Sequence, residues 1–296
     1  MTNGFTPATA NNIEQKKLSP DEWKAQKQAE KDEVFKMIDD AAMEIAETPE
    51  AFMKFLDTQS NLDRYSATNA LLMYKQCPEA TVLKDFEDWG KDNVKIKRGM
   101  KSLRMMEPVE YTKKDGTTGI NFKVKRVFDI SQTSASPRKT YEFTKEHAEK
   151  LANIMISTCP VKVEMVDGLE KNVSAYYDHS KQTLLVKKEN TNFENLVEWL
   201  ACELAHVELV LKNPNYDRNS SAFEALSVCY MICKKQGVPA IKDFVVTKTP
   251  KDFLGNDPKN IRSELSTIKN AYSDIHSRIT SEFYRQKQER SKEMER

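Results

Sequence analysis

Three residues in one predicted helical run are of the types that bind metals or transfer protons. Cys202, Glu203 and His206 lie within residues 197–208, and Cys202 and His206 are four positions apart. Residues at this spacing share a helix face, and Glu203 lies beside them. Two His residues so spaced, with a Glu between them, form the HExxH arrangement, in which the imidazoles bind zinc and the Glu accepts the proton of metal-bound water. Here Cys202 replaces the first His, so a thiolate would have to serve as the ligand.

A second chemical feature is a basic segment beside several aromatic residues. Residues 91–126 contain eleven Lys or Arg against four acidic residues. Cations neutralise phosphates and flat rings stack on unpaired bases, so this combination suits single-stranded nucleic acid. Tyr65 and Asn69, four positions apart, offer a ring and an amide together, and Trp89 follows them. The alternative is structural: the rings belong to the core, and the acidic segment 30–63 balances the charge of a solvated hairpin.

Apolar periodicity and capping signals predict the elements that must position these residues. In the first part they predict helices at 19–47, 49–57 and 66–76, and strands at 94–97, 102–111 and 121–130. In the second part they predict a helix at 144–157, strands at 161–165, 173–177 and 183–186, and helices at 192–212, 220–235 and 260–290. The expected class is α+β, with N-terminal helices and a small antiparallel sheet, then a helical domain with a second small sheet.

Composition shifts predict the organisation of the chain. We expect a disordered leader at 1–20, a first domain at 21–133, a linker at 134–142, a second domain at 143–256 and a C-terminal helix at 257–296. The apolar stripe of that last helix predicts that it docks on the rest of the chain.

Charge, hydropathy and cysteine use limit the compartment and the partners. The net charge is +1, and apolar runs are far too short to span a bilayer, so no membrane partner is expected. The N-terminus lacks an apolar signal region, which predicts a cytoplasmic protein. The five cysteines are odd in number and lack CxxC spacing, so we expect no disulfide framework.

Four motifs occur in an order that resembles the N-terminal domain of ArdC-type antirestriction proteins. They are YSxxNxLLxxxQxP from Tyr65 to Pro78, FxxW from Phe86 to Trp89, VxxxxGxKS from Val94 to Ser102, and VFDISQT from Val127 to Thr133. The chain is also similar to LtrC-like proteins of Gram-positive conjugative elements. The resemblance implies sequence-tolerant binding of single-stranded DNA. Together with the charge pattern, it gives the candidate contacts Tyr65, Ser66, Asn69, Gln76, Trp89, Lys95, Lys97, Arg98, Lys101, Arg104, Lys123 and Lys125.

The second domain resembles zincin-like metallopeptidases of the ImmA/IrrE type. Residues 176–186 are similar to the strand pair before the metal-binding helix of that family, and residues 223–230 to the helix that supplies the third ligand, here Glu224. The implied metal ligands are Cys202, His206 and Glu224, with Glu203 as the catalytic residue if the site is active. A thiolate would reduce the Lewis acidity of zinc. A metal-free site, a structural Zn²⁺ and an active peptidase all remain open.

Three functions compete at this point. The favoured one is a single-stranded-DNA-binding protein of a plasmid or other mobile element that protects or chaperones transferred DNA. The alternative is a zinc metallopeptidase targeted to DNA. The third is an interaction protein that inhibits a host defence enzyme by mimicking or masking DNA, so that its partner is a host or element-encoded protein. Only the acidic segment 30–63 favours it.

Overall fold

The computed structural model describes residues 19–136, 143–213, 215–238 and 250–294. Most of the predicted leader lies outside these ranges, although residues 19 and 20 belong to the start of the first helix. Residues 137–142 of the predicted linker also lie outside them. Within the described residues, every helix is either too short or too polar to span a bilayer.

Local capping defines the N-terminal helices α1 (Pro20–Glu47), α2 (Pro49–Asn61), α3 (Ala67–Gln76) and α4 (Phe86–Lys91). Ser19 and Glu22 form a capping box at α1, and the side chains of Thr48, Ser66 and Asp85 accept backbone hydrogen bonds at the next three helix starts. These contacts satisfy amide groups that have no partner within the helix. The predicted starts of α1 to α3 agree with the structure, whereas α4 was not predicted.

The first sheet has the order β1-β3-β2 and is antiparallel, with strands β1 (Leu83–Lys84), β2 (Leu103–Thr112) and β3 (Thr118–Asp129). The β2–β3 turn includes Gly116 at φ +80°, a conformation that favours glycine. The base of the hairpin is buried at Leu103 and Val127, and its outer half is exposed. The predicted strand at 94–97 is wrong, because only an isolated bridge joins Ile96 to Thr133.

The second half contains α5 (Lys145–Ser157), β4 (Lys162–Val166), β5 (Ala175–Asp178), β6 (Thr183–Lys187), α6 (Phe193–Lys212), α7 (Ala222–Gln236), α8 (Lys251–Leu254) and α9 (Pro258–Met294). The sheet order is β4-β6-β5, with β4 parallel and β5 antiparallel to β6. These elements confirm the α+β class.

One hydrophobic core runs through both halves of the chain. Phe52 of α2 stacks on Phe223 of α7, with ring centroids 4.9 Å apart. The predicted stripe of α9, which includes Ile261, Leu265 and Ile275, is buried within this core. The division at 134–142 stays a prediction, and the cores on its two sides are continuous.

Candidate nucleic-acid interface

Residues 95–101 form a loop at the base of the β2–β3 hairpin, here called the basic loop. The Lys97 N–H donates to the Gln132 carbonyl at 2.9 Å, and the Ser134 N–H donates to the Lys95 carbonyl at 2.8 Å. Gly99 adopts φ +83°, which a side chain would strain. These contacts hold the loop against residues 130–134 and leave its side chains outside.

The basic loop presents four cations to solvent. Lys95, Lys97, Arg98 and Lys101 are exposed, and none of them forms an ion pair with an acidic side chain in the described ranges. The Lys97 Nζ donates to the Ser131 carbonyl at 2.8 Å, an interaction that keeps its positive charge available. The structure therefore brings these four predicted contacts together on one loop.

The other predicted cations are neutralised within the molecule. Arg104 pairs with Glu33 of α1 at 2.9 Å, and Lys123 pairs with Glu107 at 2.9 Å. Lys125 pairs with both Glu107 and Asp85, and hydrogen bonds to these two carboxylates raise its pKa. The acidic α1 also pairs with Arg126 through Glu30. The acidic segment 30–63 therefore balances Arg104 and Arg126, whereas Lys123 and Lys125 are balanced by carboxylates outside that segment.

Two predicted contacts, Asn69 and Gln76, are scaffold residues. The Asn69 amide donates to the Met106 carbonyl at 2.9 Å and accepts from the Met106 N–H at 2.8 Å. Gln76 makes the same pair of contacts with Arg104, at 2.8 and 2.9 Å. The two amides lie seven positions apart on one face of α3, so they fix that helix to the edge of β2. Their predicted role as DNA contacts is therefore corrected, because both side-chain amides are hydrogen-bonded to backbone groups of β2.

Trp89 and Tyr65 are also held by the fold. Trp89 is only 3% exposed, and its Nε1–H donates to the Phe128 carbonyl at 3.0 Å. It has no face for a base, so the stacking role predicted for it is wrong. Tyr65 is half-buried, its hydroxyl donates to the Leu83 carbonyl at 3.0 Å, and burial raises its pKa. Ser66 is the N-cap of α3 and accepts from the Asn69 N–H at 3.3 Å.

Three aromatic rings that the sequence motifs did not indicate are exposed on or near the hairpin. Phe35 of α1 is 39% exposed, Tyr111 of β2 is 49% exposed and Phe122 of β3 is 44% exposed. The Tyr111 ring lies over Gly119, where a Cβ atom would come within 2.6 Å of it. Apolar residues continue along both strands into the exposed outer half of the hairpin, and their sequence pattern does not show where the core ends.

A groove lies between α1, α3, the hairpin and the start of α9, with a volume of about 510 Å³. Its apolar lining includes Phe35, Tyr65 and Phe122, and its polar lining includes Arg64 and Thr68. We call it the aromatic groove. It is concave, mainly apolar and within the size range of ligand sites.

The residues predicted to bind a metal lie in a separate cluster on α6. Glu203 is buried; its Oε1 accepts from the Arg218 guanidinium at 2.5 Å, and its Oε2 accepts from the Tyr177 N–H at 2.7 Å. The Nδ1 of His206 is 2.7 Å from the Tyr216 hydroxyl. Burial, with the nearby charge of Arg218, lowers the pKa of His206 to about 3, so its ring is neutral. Arg218 also lies over the ring of Tyr176.

Cys202 is joined to Cys229 by a disulfide, although the sequence predicted no disulfide framework, and Cys77, Cys159 and Cys233 are free. The two residues face each other across the packed helices α6 and α7, with Cα atoms 4.7 Å apart. Glu224 lies on α7, where burial raises its pKa and the charge of Glu264 on α9 adds to the rise. Cys202 and His206 are thus held in separate interactions, whereas the buried Oε2 of Glu224 has no hydrogen-bond partner in the described part of the chain.

Comparisons with known proteins identify a solved structure with this arrangement of elements. No protein-family model matches the chain, and no curated protein matches it. The crystal structure of the antirestriction protein ArdC from plasmid R388 matches in its metal-free form with a TM-score of 0.50 and 14% identity, covering 73% of this chain and 86% of that chain. The Mn(II)-bound form matches with a TM-score of 0.52 and 12% identity, covering 73% of this chain and 85% of that chain.

The chain has an ArdC-type fold. At these identities the likeness shows the fold alone, and the TM-scores describe a shared arrangement with local differences. The ArdC-type fold accounts for the α+β class and for most of the described chain. The zincin detail is a separate matter, which depends on the side chains in this sequence.

Those side chains do not fit a metal ion. Mn(II) and Zn(II) bind carboxylates, neutral imidazoles and thiolates. Here the Cys202 sulfur is bonded to Cys229 and both Glu203 oxygens have partners, which leaves His206 and Glu224 of the predicted residues. No group of three His, Cys, Asp or Glu side chains in the described part of the chain is placed to hold a metal. The arrangement gives no support for Glu203 as a catalytic base, because its carboxylate is already paired.

Addition of Mn(II) or Zn(II) is therefore expected to leave the melting temperature of the protein unchanged. The measurement is a thermal unfolding series with each metal and with a chelator, together with elemental analysis of the purified protein. The control is the same series with a reductant, which frees the Cys202 and Cys229 thiols. Stoichiometric metal in the unreduced protein that is lost in His206→Ala would contradict the lack of fit.

Proposed function

We propose that this chain is a sequence-tolerant single-stranded-DNA-binding protein of the antirestriction type, carried by a plasmid or another mobile element. It would act in the cytoplasm and protect or chaperone the strand that enters a recipient cell. The observation that carries the proposal is the basic loop, whose four exposed cations have no acidic partner in the described ranges. The fold supports it, since ArdC from plasmid R388 is an antirestriction protein.

The mechanism follows from charge and from the exposed rings. Binding of a phosphate backbone releases counterions, and this term does not depend on sequence. Lys95, Arg98 and Lys101 supply the cations, and rings along the hairpin such as Tyr111 and Phe122 supply surfaces for bases.

The function is tested by fluorescence anisotropy with matched single- and double-stranded oligonucleotides over a range of salt concentrations. We expect tighter binding of the single strand, since unpaired bases offer their faces to rings. We also expect the affinity to fall linearly on a log–log plot against salt. Equal affinity for both forms, or no binding at low salt, would contradict the proposal.

Replacing Lys95, Arg98 and Lys101 together by Gln is expected to weaken single-strand binding by roughly ten- to a hundredfold near physiological salt. The salt slope should fall by about 2, because each phosphate contact contributes about 0.7. The matched control removes two Lys and one Arg from the exposed end of α9, namely Lys287, Arg290 and Lys292. If both triple variants lose affinity equally, the basic loop is not the contact surface.

A further inference from the structure

The aromatic groove contains polar groups that the fold leaves available to a ligand. Several of its lining residues are already used: Asn69 holds Met106, Glu107 pairs with Lys123 and Lys125, and Arg262 pairs with Asp39. Arg64, by contrast, is exposed and forms no ion pair with an acidic side chain in the described residues. The groove therefore carries one available cation.

Two hydroxyl groups lie beside that cation. Ser66 accepts a hydrogen bond from the Asn69 N–H, so its own O–H can still donate, and Thr68, two residues further along the chain, also lines the groove. A hydroxyl both donates and accepts hydrogen bonds. A pair of hydroxyls can thus contact the polar edge of any base without selecting one.

The walls of the groove are formed by rings on separate elements. Phe35 comes from α1, Tyr65 from the residues before α3, and Phe122 from β3. Both phenylalanines keep an exposed surface, whereas Tyr65 is fixed by its hydrogen bond to Leu83. Lys31 connects the wall from α1 with the wall from β3. Its Nζ donates to the Asn121 side chain at 2.9 Å and lies 5.9 Å from the centre of the Phe35 ring. The walls are thus held at a defined separation.

We propose that the aromatic groove takes one unstacked base of the single strand, with Arg64 on the adjoining phosphate. This inference depends on the proposed function and deepens it. The occupant follows from charge complementarity, because an available cation beside aromatic walls fits a nucleotide better than an apolar side chain of a protein. A paired base cannot enter without leaving its stack, so the groove also explains a preference for single strands.

The groove and the basic loop are close enough to contact one strand. Pro108 lines the groove, and Lys101 belongs to the basic loop. The first half of β2 separates these two residues by about 24 Å at the usual rise of a strand. Phosphates of a short oligonucleotide can therefore lie on the basic loop while one base occupies the groove.

The test compares Phe122→Ala with Ile120→Ala in the full chain. Both residues are exposed and lie two positions apart on the same face of β3, but Ile120 does not line the groove. Phe122→Ala is expected to weaken binding of a short oligothymidylate by roughly 5- to 150-fold, and Ile120→Ala by less than about twofold. Binding of a duplex should change equally little in both. Thermal unfolding of each variant confirms that the fold is retained.

A fluorescent base gives a second measurement. One 2-aminopurine in the oligothymidylate should change its emission on binding to the unmodified protein and to Ile120→Ala, and lose that change with Phe122→Ala. Arg64→Gln should reduce the salt slope by about 0.7 and leave the emission change in place. A smaller salt slope with an unchanged emission change in Arg64→Gln would support separate roles for the Arg64 cation and the Phe122 ring.

The outcomes separate this inference from the proposed function. If Phe122→Ala binds as tightly as Ile120→Ala while the basic-loop variant loses affinity, the groove does not hold a base and the DNA-binding function stands. If the unmodified protein binds no single strand, both proposals are overturned. Equal losses in Phe122→Ala and Ile120→Ala would show a general apolar surface and would also overturn the groove.

Discussion

Replacement of Arg218 by Ala is expected to lower the free energy of unfolding by about 3 kcal/mol. The Glu203 side chain is 2% exposed, whereas the Arg218 side chain is 34% exposed. Removing one partner of a buried ion pair costs about 3–5 kcal/mol because the other charge is left unpaired. The lower end applies here, since water can enter the space left by the half-exposed guanidinium. Urea denaturation of the two proteins measures the difference.

The control is a second arginine in an exposed ion pair. Arg285 on α9 pairs with Glu282 and Glu289 and is 58% exposed, so Arg285→Ala should change the free energy of unfolding far less than Arg218→Ala does. A Glu203→Gln change should recover part of the Arg218→Ala loss, because a neutral amide oxygen can still accept from Tyr177. If Arg218→Ala and Arg285→Ala are equally mild, Glu203 does not depend on the guanidinium.

The same ion pair explains why the sequence could predict which residues share a face of α6 but not what those residues contact. The spacing of Cys202 and His206 correctly places them on one face of α6, because helical periodicity is local. Their partners are not local. Cys229 comes from α7, and Arg218 comes from the connection between α6 and α7. No pattern within residues 197–208 could show that an internal cation and a second thiol reach this face.

The helix starts were predictable for a related reason. The side chains of Ser19, Ser66 and Thr144 cap α1, α3 and α5, and each cap involves only residues within the first turn. The burial of the Asn69 and Gln76 amides against β2 was not predictable in this way. Both have the residue types of a DNA contact, but the edge of β2 lies across that face of α3 and takes up their amides.

The hairpin gives the converse case, in which residues of core type are exposed. Ile120 and Phe122 lie opposite Glu110 and Pro108 in register, in the exposed outer half of the hairpin. Alternation along a strand predicts which residues share a face, but it does not show where the core ends. The exposed rings are for that reason the part of the interface that required the structure.

Replacement of Trp89 by Ala is expected to lower the free energy of unfolding by about 3–5 kcal/mol, the usual cost of deleting a buried Trp side chain. The ring is buried between α4 and the sheet, and the change also leaves the Phe128 carbonyl without its donor. Trp89→Phe should cost less, because it keeps most of the packing and loses the hydrogen bond, worth about 1 kcal/mol. Urea denaturation of the three proteins gives both differences.

The decisive comparison is between stability and DNA affinity in the same variant. Trp89→Phe retains an aromatic face, so unchanged single-strand affinity in that variant alone would be ambiguous, whereas Trp89→Ala removes the ring. At a temperature where Trp89→Ala remains folded, we expect its affinity to stay within about twofold of the unmodified protein, since a ring with 3% exposure offers no surface for stacking. Anisotropy measures this directly. A large loss of affinity with little loss of stability would return Trp89 to the interface, and it would mean that α4 opens when the strand binds.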